Sequence, residues 1–97
     1  MTVSEKQRKH LRALGHTLKP VVMIGAKGLT ESVLRELDQS IEHHELLKIR
    51  VSVGDRDARD AVIAETCART GAELVQRIGN IALLFRPRKK NSAIALP

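Results

Sequence analysis

Lys19-Pro20-Val21-Val22-Met23-Ile24-Gly25-Ala26-Lys27-Gly28-Leu29-Thr30-Glu31-Ser32-Val33-Leu34 is the stretch that decides the fold. Val21 to Ile24 predict a strand, and Pro20 suits its first position. Four successive apolar residues predict burial on both sheet faces, as in parallel sheets. A loop, Gly25 to Gly28, follows, and a helix opens at Thr30 or Glu31 and runs to His43. Glycines without a Cβ admit positive φ and let another backbone come close. The first N–H groups of the helix lack intrahelical partners and can point at an anion. Lys27 places a cation in the same loop, so a phosphate-bearing polymer suits it.

Downstream, Val33, Leu34, Leu37 and Ile41 form the apolar stripe of this helix, with Arg35, Glu36, Asp38, Gln39 and Glu42 outward. Leu46 to Val53 reads as a second, half-buried strand, because Leu47, Ile49, Val51 and Val53 alternate with Lys48, Arg50 and Ser52. A strand–helix–strand unit of this length predicts a parallel crossover. A third helix runs from Asp57 or Ala58 to Thr70, with Gly71 ending it and small residues packing on the sheet. Leu74–Ile78 and Ile81–Phe85 are strands joined by Gly79-Asn80, a type I′ or II′ hairpin. Pro87 stops the last strand.

Upstream, Ser4 and Gln7 form a capping box for a first helix. It runs from Glu5 to Leu14, with Gly15 just past its end. Gln7, Leu11 and Leu14 share one side, while Lys6, Arg8, Lys9 and Arg12 make a basic face. The order α-β-α-β-α-β-β predicts one compact two-layer α/β domain over residues 1–97, a four-stranded mixed sheet packed with helices. Its core is about residues 4–87. Residues 88–97 form a basic, then apolar tail that lies over the surface or stays mobile.

The 97 residues carry a net charge of +6, concentrated at the two ends. Lys6, Arg8, Lys9, Arg12 and Lys19 meet only Glu5 in residues 1–19, and Arg86, Arg88, Lys89 and Lys90 meet no acid in residues 86–97. The middle holds slightly more acids than bases. This asymmetry points to a polyanion-facing surface. Phe85 is the only aromatic residue. A sheet that stacks bases on several aromatics is therefore excluded, and any grip on nucleic acid must come from charge and backbone donors.

The remaining chemistry is sparse. No apolar run is long enough to span a membrane, and the charged segment Met1 to Leu14 lacks the apolar stretch of a secretory leader. The lone Cys67 allows no internal disulfide and fits a reducing, cytoplasmic setting; among alanines, it reads as a small core residue. His43 and His44 are adjacent on a helix and diverge, and no Cys–His set has zinc spacing. Asp55, Asp57 and Asp60 read as helix-start carboxylates. No cofactor, metal, small-molecule substrate or enzymatic activity is expected.

Residues 19–34 closely resemble the CRM domain (chloroplast RNA splicing and ribosome maturation). The match includes the Lys/Arg-rich first helix, His43-His44-Glu45-Leu46-Leu47-Lys48-Ile49, the Asp55-Arg56 turn, Thr70-Gly71-Ala72 and the Ile78-Gly79 hairpin. At this length the chain resembles the free-standing bacterial YhbY-type members. The resemblance implies a fold similar to the C-terminal domain of translation initiation factor three. It also implies RNA binding through Gly25, Ala26, Lys27 and Gly28 with neighbouring basic residues, and association with precursors of the large ribosomal subunit. Ser32 stands where many relatives have glycine.

The expected site is thus Gly25, Ala26, Lys27 and Gly28, extended by Lys6, Arg8, Lys9, Arg12 and Lys19, with ribosomal RNA as partner. Lys48 and Arg50 are secondary candidates, since outward acids of a helix are available to them. Glu31 would repel a phosphate placed too near the helix start. Two other classes fit the composition: a protein-interaction module docking basic ribosomal proteins on Glu36, Asp38 and Glu42, and a nonspecific duplex-DNA binder using the basic ends.

Overall fold

The computed structural model describes residues 3–97, so the first two positions of the charged N-terminal stretch lie outside it. The elements follow the expected order: α1 (Glu5–Gly15), β1 (Pro20–Ile24), α2 (Glu31–His44), β2 (Leu46–Val51), α3 (Arg56–Thr70), β3 (Glu73–Ile78) and β4 (Ile81–Phe85). The strands form one sheet in the order β1-β2-β4-β3. β1 and β2 are parallel, and β4 runs antiparallel to both its neighbours. In the hairpin, Gly79 has φ 59° and Asn80 has no positive φ, which is the II′ pattern.

Alternation along β2 builds two cores. Leu47, Ile49 and Val51 face Leu37 and Ile41 of α2 and Ile63 of α3, together with Val22, Ile24, Ala82 and Leu84. Leu46 points the other way, into a cluster with Val3, Leu11, Val75, Leu83 and Phe85. Period-two geometry requires this split. Helices therefore lie on both faces, with α1 alone on one side, so the arrangement has three layers where two were expected.

α1 has eleven residues, about 16 Å of helix, and shields only part of its face. The double burial expected of β1 consequently fails: Val22 and Ile24 are buried, whereas Val21 and Met23 are 47% and 61% exposed. Gly15 also differs from expectation, being the last helical residue. A Cβ there would stand 2.7 Å from Leu83 Cδ2, so glycine lets the helix end lie flat on the sheet. β2 stops at Val51, two residues early, because β1 ends at Ile24; the Ser52 N–H to Ile24 carbonyl bond, 2.8 Å, is the last rung between them.

The tail is held against the body by a buried carboxylate. Glu45 is fully buried and adopts φ 64° just after α2. Its side chain accepts hydrogen bonds from Arg88 N (2.7 Å), Ser92 Oγ (2.6 Å) and Ala93 N (2.7 Å). Burial alone would raise its pKa. The three bonds and the nearby Arg88 guanidinium outweigh that and hold it below its ordinary value. Ile94 and Leu96 then pack on the α1-side core.

Candidate nucleic-acid interface

The loop after β1 is a tight turn in which Gly28 N–H donates to the Gly25 carbonyl at 2.9 Å. Gly28 has φ +73°, which an L side chain adopts only with strain. Gly25 does not, so its lack of a side chain is not required by backbone conformation. A Cβ at either position would meet nothing within 4 Å. Gly25, Ala26 and Lys27 are exposed, and the space before the turn is open. Thr30 caps α2 by accepting from Val33 N–H at 3.2 Å, and the preceding amides of the first turn stay available.

Neighbouring segments meet at the same end of the sheet. Besides the Ser52–Ile24 bond, Val51 N–H donates to the Asn80 carbonyl at 2.7 Å. The β1–α2 loop, the β2–α3 connection and the hairpin thus stand side by side. Arg56, exposed at the first position of α3, belongs to this group; the Gly54-Asp55-Arg56 turn was its only signal in the sequence.

Ion pairing sorts the cations. Among the described residues, no lysine takes part in an ion pair, whereas Arg8, Arg69, Arg77, Arg86 and Arg88 all do. Lys6, Lys9, Lys19 and Lys27 are exposed and Arg12 is half-buried. Lys48 and Arg50, the secondary candidates to which helix acids were available, pair with none; they stand on the α1-side face, between the loop end of β2 and the part α1 covers. Glu31 is drawn to Arg69 of α3 at 2.9 Å. That hydrogen bond and charge raise the Arg69 pKa, and they reduce the repulsion expected beside the loop.

Arg8 does not belong with the outward cations. Its Nη1 donates to the Leu74 and Val75 carbonyls, both at 2.8 Å, and its guanidinium pairs with Glu73. It closes the β3 edge. The reason is periodicity: Arg8 precedes Leu11 by three and Gly15 by seven, so it shares their inward side. Leu14, expected inward, is 44% exposed. Lys19 precedes β1 and the loop follows it, so they stand roughly 17 Å apart along the strand.

The acidic face of α2 is partly neutralised. Arg86 binds Asp38 at 2.7 Å and Glu42 at 3.2 Å, leaving Glu36 as the unpaired acid of that trio on α2. Arg88 is engaged by the Glu42 and His43 carbonyls and by Glu45, so Lys89 and Lys90 are the free cations of the C-terminal segment. Cys67 is half-buried, and burial together with nearby Glu73 raises its thiol pKa. No cluster of three or more metal-ligating side chains occurs among the described residues. No described helix is long and apolar enough to cross a membrane.

Residues 3–86 match the CRS1/YhbY (CRM) domain, and the chain belongs to this family. A Haemophilus influenzae protein named as an RNA-binding protein is 44% identical over 96 residues, covering 99% of this chain and 96% of the relative. A Pseudomonas aeruginosa protein named as a probable RNA-binding protein is 41% identical over 90 residues, 93% of this chain and 86% of the relative. A Staphylococcus aureus protein solved in solution, described as a candidate RNA binder, superposes with a TM-score of 0.85 at 32% identity. The match covers 99% of this chain and 100% of that one.

Proposed function

We propose that this protein binds RNA by its sugar-phosphate backbone, at the Gly25–Gly28 turn, and acts on precursors of the large ribosomal subunit. The observation that carries the reading is the open space before Gly25, a glycine whose conformation does not demand glycine. Such a position favours close approach by an external backbone. Lys27 supplies a charge beside it, and the start of α2 supplies partial positive charge. Lys6, Lys9, Arg12 and Lys19 extend the positive surface, with Lys48 and Arg50 between them and the loop. Arg8 is left out, since its guanidinium is held on β3. Family membership and the relatives named for RNA binding support the polymer; the link to the large subunit rests on the family resemblance. The protein works in the cytoplasm as a binder without catalytic chemistry.

The test is sedimentation of the protein from cell extracts. Co-migration with large-subunit precursors that ends on complete RNA digestion is expected. Co-migration that survives digestion would move the contact to ribosomal protein. In competition at physiological salt, structured RNA should displace the bound probe and duplex DNA should not.

A further inference from the structure

We propose that the open half of the sheet, on the α1 side, seats bases of the RNA strand whose backbone the loop holds; this rests on the RNA-binding reading above. Met23, Arg50, Ile81 and Ile78 form one continuous rung across all four strands. Met23 is 61% and Ile78 67% exposed. The next rung on this face pairs Lys48 with Leu83 and Leu83 with Gln76. α1 ends against Leu83, and beyond it Met23, Arg50 and Ile78 are exposed and Ile81 is half-buried. Ile78 adjoins Ile81, and Met23 stands beyond Arg50, so the rung is apolar at both ends with a cation between.

Three features favour bases as the occupant. Neither rung contains a carboxylate, and both carry a cation without an ion-pair partner, which complements phosphates. Met23 lies two residues before Gly25, so a strand held at the turn has its bases beside this rung. Lys48, Gln76, Ile78, Ile81 and Leu83 line a depression of about 200 Å³, below the roughly 300–1,000 Å³ of drug-sized sites and suited to one flat heterocycle. Sheets of four strands elsewhere seat two or three bases. Here the contact is aliphatic, with the Met23 sulfur available to a ring face or edge. It tolerates any base while still needing one.

The experiment uses a labelled single-stranded RNA 12-mer and an abasic strand of equal length and charge. Wild type should bind the base-bearing strand about tenfold more tightly, corresponding to one or two such contacts. The Met23→Thr/Ile78→Thr protein, with its fold checked by melting, should lose that preference. Lys27→Ala should weaken both strands alike. Equal wild-type affinity for the two strands would overturn the base seat while leaving the loop reading intact, provided Lys27→Ala still weakens binding. A double variant that binds RNA normally but no longer retains an acidic ribosomal protein would give this face to a protein and also overturn it. Failure of wild type to bind either strand at low salt would remove the loop reading and the seat together.

Discussion

Replacing Gly25 with alanine should separate stability from binding. The added Cβ meets no atom within 4 Å, and Gly25 lies outside the left-handed region. Alanine at a compatible position restricts the unfolded chain and stabilises by about 0.4–1 kcal/mol. For a domain of this size that raises the melting temperature by a few degrees, at roughly 4–8 °C per kcal/mol. Gly28→Ala is the contrasting case. At φ +73°, alanine pays about 1–2 kcal/mol, so this variant should melt at or below wild type. On RNA both should be impaired, because a methyl group holds a phosphate away from the loop. Losing one charge-assisted hydrogen bond, about 1.5–3 kcal/mol, corresponds to roughly a ten- to hundredfold loss of affinity. Thermal melts and fluorescence anisotropy with one labelled RNA, on the same samples, read both effects. A Gly25→Ala protein that melts at or above wild type and binds RNA equally well would refute close backbone approach at this turn.

Glu45→Gln should destabilise the fold by about 2–4 kcal/mol, because charge-assisted bonds to Arg88, Ser92 and Ala93 are lost or weakened. The Glu45 carboxyl has its pKa lowered from 4.5. Its stabilising effect is therefore full above that value and is lost as pH falls through the lower native pKa. Urea melts of both proteins should show a wide gap at pH 7 that narrows at pH 3. Arg8→Ala should cost about 1–3 kcal/mol by leaving two β3 carbonyls without their donor. Its RNA-binding salt slope should stay at the wild-type value, unlike that of a phosphate contact. Cys67, half-buried with a raised pKa, should be alkylated at pH 8 more slowly than a free thiol.

The elements that the sequence made legible are those whose local signals agree with the packing. The Ser4–Gln7 box and the Gly79 turn stand where spacing put them, and α2 opens at Glu31, one of its two expected starts, with Thr30 as its cap. α3 opens at Arg56, a residue or two before the expected Asp57 or Ala58, because Asp55 caps it. The GxxG turn was equally visible, since its glycines and lysine are contiguous. Most of the misreadings were non-local. Val21 and Met23 look like core residues until the short reach of α1 is known, and no local pattern reports which part of a sheet lacks cover. Arg8 reads as a surface cation by residue type, although its spacing from Leu11 and Gly15 aims it inward. Glu45 gave no signal, because its bonds depend on a tail more than forty residues away. Free and engaged cations separate only once their acids are placed, as with Arg86 between Asp38 and Glu42.

The most direct measurement is RNA affinity across a salt series for wild type and Lys27→Ala. Each phosphate neutralised on a single strand contributes about 0.7 to the slope of log affinity against log salt. Lys27→Ala should lower the slope by about 0.7 and weaken binding to unrelated RNAs alike. A variant with both slope and affinity unchanged would contradict phosphate recognition at the turn.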